Sequence, residues 1–320
     1  MDQRAEGEGH YPLLRPLTAV IPRPPVIGIT LGDAAGIGPE VTRGALAGGK
    51  LDPRFEYRVI GRCPQAVPGR PDAVTARAAL DSLEESVRLL KTGELAAVVT
   101  APVSKDLLAA HGFEFPGQTE FYAARFGVSD FQMCLTGPHL TVGLVTIHEP
   151  LSRVPGLLTT AEIVRHGRLL ADFCRRRGRK NPRIAVAGLN PHAGENGRMG
   201  TEERTIIQPA VAELNAAEAE PVFHGPLPPD TLFYKAARGA YDAVLCMYHD
   251  QGLIPLKLLD FDEAVNLTLG LPVIRTSPDH GTAFDIAGQN SASPASMTAA
   301  LRLAAELAAH GISGGESEAC

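Results

Sequence analysis

The stretch VIGITLGDAAGIGPE, residues 26–40, decides the fold class. Its first six residues, Val26 to Leu31, are mostly apolar or β-branched and predict a buried strand. Glycines and small residues follow, and Pro39 then marks the first turn of a predicted helix over residues 38–47. A strand, a glycine-rich loop and a helix in this order are typical of α/β proteins with parallel or mixed sheets.

The glycines of this loop do not predict a nucleotide site. Gly32, Gly36 and Gly38 do not reproduce the spacing G-x-G-x-x-G, and no Lys followed by Ser or Thr completes a P-loop. The loop therefore gives no reason to expect a Rossmann fold. A second strand end, TAPVSK at residues 100–105, contains Ser104 and Lys105, which either offer donors to an anion or cap the following helix.

The alternation of strands and helices continues along the chain. Apolar, β-rich runs predict strands at residues 26–31, 57–60, 96–100, 140–147, 183–187, 243–247 and 264–269. Helical periodicity predicts helices at residues 38–47, 75–92, 119–126, 160–176, 201–217, 230–237 and 295–310. Polar and ionisable residues come directly after several of these strands. Because open α/β sheets bind ligands at the carboxyl ends of their strands, we expect a site there.

Composition and charge limit the classes of partner. With 320 residues, of which 44% are hydrophobic, the chain is long enough for one large α/β unit or two lobes around a cleft. Its formal charge of −6 argues against nucleic acid or an anionic membrane as the main partner, since both require a clustered basic surface. No apolar run approaches the ~20 residues that cross a bilayer. The partner is therefore expected to be a small molecule.

The N-terminal segment and the cysteines bear on the cellular location of the protein. Residues 1–24 contain several prolines among charges and lack the apolar core of a secretion signal, so we predict a poorly ordered tail. The five cysteines share no close spacing, so the sequence indicates neither a CxxC metal site nor a disulfide framework. Reduced thiols of this kind favour a cytoplasmic location.

Three histidines give the sharpest chemical signal. His148, His192 and His249 each stand in a polar turn that follows an apolar run. Three neutral imidazoles that leave coordination positions open suit Zn²⁺ or a similar divalent ion that also holds substrate oxygens. The three are far apart in sequence, so the alternative of separate, hydrogen-bonded loop histidines stays open.

A second group, between residues 255 and 280, suits an anion. Arg275 offers a planar fork of donors, Lys257 a point charge and Asn266 an amide, which together fit a phosphate or carboxylate. Solvated strand ends are the alternative reading of the same residues. Three nearby carboxylates are expected to point away from such a site: Asp260, Asp262 and Glu263.

Two further carboxylates have a chemical and a structural interpretation. Asp250, beside His249, is able to accept a proton or to orient an imidazole that binds a metal. Asp230 follows GPLPP and precedes a helical pattern, so an N-cap is the interpretation that its own position favours.

Taken together, these stretches resemble the 4-hydroxythreonine-4-phosphate dehydrogenase family of vitamin B6 biosynthesis. Each motif is weak alone, but the joint match is specific and covers the chain from about Val26 to its end. The resembling motifs are GDAAGIGPE (32–40), TAPVSK (100–105), GLNPHAGE (188–195), GPLPPDTLF (225–233), YHDQG (248–252) and VNLTLGLPVIRTSPDHGTA (265–283).

The resemblance implies a fold and an assembly. It implies that residues 25–320 form a single two-lobed α/β unit of the isocitrate and isopropylmalate dehydrogenase type, with the active site in the cleft between the lobes. It also implies a homodimer with the active sites at the subunit interface. One divalent metal, Zn, Mg or Co, and NAD, with NADP left open, are the implied cofactors. The resemblance does not identify the residues that bind the nicotinamide.

The resemblance also assigns roles to individual residues. His148, His192 and His249 would hold the metal, with ligands shared between subunits. The substrate phosphate end would be bound by Lys257, Asn266 and Arg275, and hydride transfer would be supported by Asp230 and Asp250.

One departure from the family pattern affects the substrate. Where the family usually has Gly-His-Thr-Glu, this chain has Gly117-Gln-Thr-Glu120. Thr119 carries over as a substrate contact. Gln118 still donates and accepts hydrogen bonds, but it does not change charge near neutral pH as an imidazole does.

The implied reaction is oxidation of 4-phosphooxy-L-threonine with decarboxylation to 3-amino-2-oxopropyl phosphate, in pyridoxal phosphate biosynthesis. The metal would act as a Lewis acid on the substrate hydroxyl while hydride passes to NAD⁺. Three alternatives stay open. They are a dehydrogenase of threonate or erythronate 4-phosphate, a dehydrogenase of a cis-dihydrodiol dicarboxylate, and a catalytically silent metabolite-binding protein.

Overall fold

Ten strands form one continuous mixed sheet in the computed structural model, which describes residues 24–314. Their order across the sheet is β2-β1-β3-β10-β9-β4-β5-β8-β6-β7. The strands are β1 (Val26–Thr30), β2 (Glu56–Ile60), β3 (Ala97–Thr100), β4 (Gln132–Thr136), β5 (Thr141–Leu144), β6 (Ile184–Ala187), β7 (Phe223–Leu227), β8 (Ala243–Cys246), β9 (Val265–Leu269) and β10 (Ile274–Pro278).

The strand directions divide the sheet into two parallel regions around an antiparallel centre. At one end β2, β1, β3 and β10 run parallel, and at the other end β5, β8, β6 and β7 do. Between these regions, β10 with β9, β9 with β4 and β4 with β5 pair in antiparallel fashion. Strands β3, β5, β6 and β8 are buried at every residue, as expected when helices cover both faces of a parallel sheet.

Ten α-helices cover the sheet within the described residues. They are α1 (Gly38–Ala47), α2 (Ala73–Lys91), α3 (Lys105–Ala109), α4 (Gln118–Phe126), α5 (Val154–Leu157), α6 (Thr160–Arg176), α7 (Gln208–Ala216), α8 (Pro229–Ala236), α9 (His249–Asp260) and α10 (Ala295–Gly314). Helix α2 packs on the β1 side of the sheet, α9 packs on β4, β5 and β8, and α10 lies across β3, β9 and β10. Each parallel region therefore has its own helices, and α10 spans the centre.

The glycine-rich loop after β1 is packed against backbone. A β-carbon on Gly32, whose φ is +66°, would lie 2.6 Å from the carbonyl oxygen of Pro102, and one on Gly36 would lie 2.7 Å from that of Thr282. Only glycine permits so close an approach. These glycines serve the packing of the loop against the ends of β3 and β10, in agreement with the absence of a nucleotide-binding spacing.

The structure contains elements that the sequence patterns do not predict. Strands β4, β7 and β10 and helix α9 are all missing from the prediction, and the strand predicted over residues 140–147 ends at Leu144. β7 contains Gly225 and Pro226, which weaken a strand signal but are tolerated here because β7 is at the sheet edge. Helix α9 contains Pro255 in its interior, so its sequence is typical of a turn. His249 consequently begins a helix and does not lie in the predicted turn.

Two predictions about the chain concern its ends and its organisation. The predicted tail of residues 1–24 lies, apart from Pro24, outside the described residues. The organisation of residues 25–320 as a single two-lobed unit stays a prediction. Between residues 24 and 314, no helix combines the length and the apolar character needed to cross a membrane.

Candidate active site

A pocket of about 360 Å³ lies over the antiparallel centre of the sheet. Four larger cavities, of about 810, 710, 630 and 570 Å³, contain only Arg275 of the predicted site residues, so size does not identify the site. The smaller pocket contains six of them, from elements far apart in the chain: Gln118, Thr119, His148, Lys257, Asn266 and Arg275.

The pocket floor follows from the register of two strands. Arg275 and Ser277 are two residues apart on β10, as are Asn266 and Thr268 on β9, so each pair lies on one face of its strand. Ser277 pairs with Asn266 across the antiparallel ladder, which puts all four side chains on the same face of the sheet. The sequence thus brings a guanidinium and an amide to one surface.

Arg275 is a buried cation without an anionic partner among the described residues. It is 5% exposed, and its Nη2 and Nε donate to Thr100 Oγ1 at 2.7 and 3.1 Å. Longer hydrogen bonds of 3.4 Å reach the hydroxyls of Thr119 and Thr268. Burial lowers the pKa of Arg275 to about 10, which keeps it charged at neutral pH. A buried charge that only neutral oxygens contact favours an anionic ligand.

Asn266 and Lys257 complete the polar wall. Asn266 Oδ1 is buried and accepts no hydrogen bond from the described residues, so it is available to a donor such as a ligand hydroxyl. Lys257 Nζ lies 2.9 Å from Asp279 Oδ2, a partner that the sequence did not suggest. Of the three carboxylates expected to point away, Asp262 and Glu263 are exposed. Asp260 accepts hydrogen bonds from the backbone of His139 and Leu140 and from the ring of His139.

His148 and His249 lie side by side. Their ring centroids are 5.5 Å apart, because His148 follows β5 and His249 follows β8, which is the parallel neighbour of β5. Partial desolvation, then the charges of Lys105 and His249, lower the pKa of His148 and so favour the neutral imidazole that binds metals. His249 Nδ1 lies 2.7 Å from Asp250 Oδ1, which leaves Nε2 as the available ring nitrogen.

His192 does not join this pair within one chain. It follows β6, the parallel neighbour of β8, so its loop leaves the same sheet edge as the loops of His148 and His249. Its side chain is exposed. Among residues 24–314 of a single chain, no three or more His, Cys, Asp and Glu side chains are arranged to hold a metal ion. The structure therefore brings together two of the three predicted ligands.

Asp230 and Asp250 are both exposed, and neither lines the pocket. Asp230 is the second residue of α8, whose N-cap is Pro228, so the N-cap interpretation of Asp230 is wrong. Pro228 and Pro229 start the helix one residue earlier than the sequence pattern predicts. Ser104, by contrast, is the N-cap of α3, since its hydroxyl accepts a hydrogen bond from the backbone of Leu107.

Comparison with known proteins identifies the family. The sequence profile of the family described as "Pyridoxal phosphate biosynthetic protein PdxA" matches residues 47–304. A 4-hydroxythreonine-4-phosphate dehydrogenase from Erythrobacter litoralis is 45% identical over 326 aligned residues, covering 88% of this chain and 96% of that protein. This chain belongs to the PdxA family.

Solved structures agree with this assignment. A 4-hydroxythreonine-4-phosphate dehydrogenase from Klebsiella pneumoniae has a TM-score of 0.77 and 37% identity, covering 89% of this chain and 99% of its own. An isocitrate dehydrogenase from Methylococcus capsulatus, at 14% identity and a TM-score of 0.50, covers 90% of this chain and 86% of its own and shares the fold alone. The predicted two-lobed fold of the isocitrate dehydrogenase type is confirmed. As a PdxA-family protein, the chain is a dehydrogenase that acts on a CH–OH group.

In this PdxA-family chain, Gln118 is held by two hydrogen bonds. Its Nε2 donates to the carbonyl oxygen of Ala101 at 3.1 Å, and its Oε1 accepts from Arg275 Nη2 at 3.4 Å. The amide thus links the end of β3 to the buried guanidinium. A neutral residue here leaves the charge of Arg275 free for a ligand.

Sequence reasoning missed several residues that support this site. Thr100 and Thr268 bind the Arg275 guanidinium, and Asp279 pairs with Lys257. Thr268 was detectable, since it is two residues from Asn266 and therefore shares its strand face. No sequence pattern pointed to Asp279, because its contact with Lys257 depends on the position of helix α9, which was not predicted.

Proposed function

We propose that this chain catalyses the NAD-dependent, divalent-metal-dependent oxidation of 4-phosphooxy-L-threonine, with decarboxylation, to 3-amino-2-oxopropyl phosphate. One observation carries the proposal: a buried Arg275, which forms no ion pair with the described residues, lies in the same pocket as His148, which is paired with His249. An anion-binding group next to two imidazoles fits a substrate that has a phosphate at one end and an oxidisable hydroxyl further along.

The phosphate is proposed to bind at Arg275, Lys257 and Asn266. Arg275 supplies a fork of N–H donors that matches two phosphate oxygens, and Lys257 adds a charge that Asp279 holds in place. Asn266 Oδ1 accepts a hydrogen bond from a protonated phosphate oxygen or a substrate hydroxyl. Thr119, which contacts both Arg275 and Thr268, is placed to bind the same end of the substrate.

A divalent metal is proposed to bind at the paired histidines. His148 and His249 offer neighbouring imidazole rings, Asp250 contacts Nδ1 of His249, and His192 is the proposed third ligand. When bound, Zn, Mg or Co would supply Lewis acidity to the substrate hydroxyl. Asp230 and Asp250 are the carboxylates proposed to support transfer of the hydroxyl proton. When bound, NAD⁺ would accept hydride from C3, and the resulting β-keto acid would lose CO₂ because its ketone accepts the electron pair.

Gln118 keeps a second substrate class open. Threonate or erythronate 4-phosphate has the same phosphate but a hydroxyl in place of the amino group, and a neutral amide beside Arg275 accepts either. A cis-dihydrodiol dicarboxylate lacks the phosphate that the Arg275 group favours.

The test is an NADH absorbance assay with 4-phosphooxy-L-threonine and with threonate 4-phosphate, each with and without a chelator and with NAD⁺ or NADP⁺. We expect turnover of the first substrate that a chelator abolishes and added metal restores. A higher kcat/KM for threonate 4-phosphate would instead indicate that the substrate is a phosphorylated sugar acid. Robust turnover in metal-free protein would contradict the metal role, and binding without turnover would indicate a catalytically silent protein.

A homodimer is proposed from the outer face of α9. Ile254, Leu258 and Phe261 are 67%, 83% and 71% exposed, and their spacing of four and three residues puts them on one face of the helix. Because α9 begins at His249, a second copy that covers this face would lie next to the pocket. An apolar stripe of this size is unfavourable in water and favours a partner surface.

We therefore expect Leu258→Glu to dissociate the dimer, since a carboxylate cannot be buried there without a partner. Sedimentation of the wild type and of the variant would measure the change. Val74→Glu, at a half-exposed position on α2, is the matched control and should remain dimeric. A monomeric wild type would contradict the proposal. The cytoplasmic location stays a prediction.

A further inference from the structure

The loop after β6 has an unusual backbone. Six consecutive residues have positive φ: His192 (51°), Ala193 (50°), Gly194 (77°), Glu195 (41°), Asn196 (58°) and Gly197 (91°). Only two of the six are glycines, and L-residues adopt this left-handed region at a cost in free energy. Such a loop persists only when its surroundings hold it, so a group that holds it must exist.

Two carboxylates hold this loop. Glu202 Oε2 accepts a hydrogen bond from Asn190 Nδ2 at 2.8 Å, and the more deeply buried of the two is Glu203. Its carboxylate is 4% exposed and lies in the π-helical turn Glu203–Ile207, directly before α7. Oε1 accepts a hydrogen bond from the backbone N–H of Asn190 at 2.7 Å, and Oε2 accepts one from Asn190 Nδ2 at 3.0 Å. Glu203 forms no ion pair with the described residues. Both oxygens of this buried carboxylate therefore accept hydrogen bonds from Asn190, which is two residues before His192.

The loop also wraps around this carboxylate. A β-carbon on Gly188 would lie 3.3 Å from Glu203 Oε1, and one on Gly194 would lie 2.6 Å from Oε2. These glycines stand on either side of His192 in the sequence. Glu203 therefore contacts the loop before and after His192, which fixes the path of the chain through that residue.

A second contact sets the loop relative to His249. Gln251 is buried in the first turn of α9, and its Nε2 donates to the carbonyl oxygen of Gly188 at 2.7 Å. Its Oε1 accepts from the backbone N–H of Met247 at 2.7 Å. The base of the His192 loop is therefore joined to the start of the helix that carries His249.

We propose that Glu203 is a positioning residue that holds the loop in the conformation that presents His192 to the metal. The inference rests on the proposed function, in which His192 is a metal ligand. A carboxylate is needed because both of its oxygens accept hydrogen bonds. In Glu203→Gln one oxygen is replaced by an NH₂ group, which would face a donor of Asn190.

The experiment compares Glu203→Gln with Glu213→Gln, a matched change at an exposed position on α7. Zn²⁺ affinity is measured by competition with a chromophoric chelator, and amide hydrogen exchange is measured over residues 190–197. For Glu203→Gln we expect Zn²⁺ affinity to fall by about 10–100-fold, as for residues that orient metal ligands. Exchange of the loop amides should become faster. Glu213→Gln should match the wild type in both.

Reversal of the donor and acceptor gives a second test. Asn190→Asp alone places a third carboxylate against Glu202 and Glu203 and should also weaken Zn²⁺ binding. In the triple variant with Glu202→Gln and Glu203→Gln, the introduced amides donate to the introduced carboxylate, so at least part of the affinity should return. If Glu203→Gln alone does not fold, comparison of the triple variant with Asn190→Asp still decides, and absence of recovery there would overturn the proposal.

His192→Ala separates this inference from the proposed function. If that variant loses Zn²⁺ while Glu203→Gln keeps wild-type affinity and loop exchange, Glu203 does not position the ligand and the ligand set stands. If His192→Ala binds Zn²⁺ as tightly as the wild type, the proposed ligand set is wrong and the inference is overturned with it.

Discussion

Arg275→Met is expected to lower kcat/KM for 4-phosphooxy-L-threonine by about 10³-fold, or about 4 kcal/mol, a cost typical of truncating one partner of a buried, hydrogen-bonded charge pair. The guanidinium is buried and meets only hydroxyl and amide oxygens in the described structure, so the substrate phosphate is its proposed counter-charge. Most of the loss should appear in KM, because the phosphate does not react. Steady-state NADH formation measures both constants.

Controls separate this role from a structural one. The free energy of unfolding should change by no more than about 1 kcal/mol, since removing an unpaired buried charge offsets the lost hydrogen bonds to Thr100. Arg275→Lys keeps the positive charge but lacks the planar set of guanidinium N–H donors, so it should lose less activity than Arg275→Met. Arg302→Met, at an exposed position on α10, should behave as the wild type. An equal loss with the unphosphorylated substrate would show that Arg275 does not bind the phosphate.

His249→Ala is expected to weaken metal binding by more than about 100-fold and to reduce turnover accordingly, since residues that merely orient ligands already contribute about 10–100-fold. Asp250→Asn keeps an acceptor for His249 Nδ1 but removes the charge, so a loss of about 10-fold is expected. Metal titration with elemental analysis gives the affinities, and the NADH assay gives the rates.

The control for this series is His111→Ala, an exposed histidine whose ring bonds only to the carbonyl oxygen of Leu107. It should retain metal and activity. If the purified His249→Ala variant still contained stoichiometric metal, His249 would not be a metal ligand. A loss caused by unfolding would instead lower the thermal transition, and we expect no such change because His249 is half-exposed at the helix start.

Sequence patterns predicted the fold where local signals agree with tertiary packing. Residues 26–47 have an apolar strand, glycines that tolerate close backbone approach and a proline at a helix start, and the structure has each of them. Helix α9 was missed because Pro255 and Gly252 are typical of turns, although packing on β4, β5 and β8 stabilises a helix there.

The residues of the candidate site also divide into those that local sequence patterns predict and those that depend on tertiary structure. Lys257, Asn266 and Arg275 lie close together in the sequence, within residues 257–275, which is why they were grouped as one candidate site, and all three line the same pocket. The proximity of His148 and His249 depends on which strands are neighbours, and strand order is not encoded locally. Glu203 gave no signal at all, because a carboxylate on a helix is usually solvated and nothing nearby marks this one as buried.

The unbroken sheet limits how the cleft can open. In many two-lobed enzymes the lobes swing about flexible connections, but here backbone hydrogen bonds run from β2 to β7 without a gap. A large hinge rotation would have to break the β10, β9 and β4 ladders, which carry Asn266 and Arg275. We therefore expect the cleft to open by changes in sheet twist and by rearrangement of its rim, with Asn266 and Arg275 kept in register.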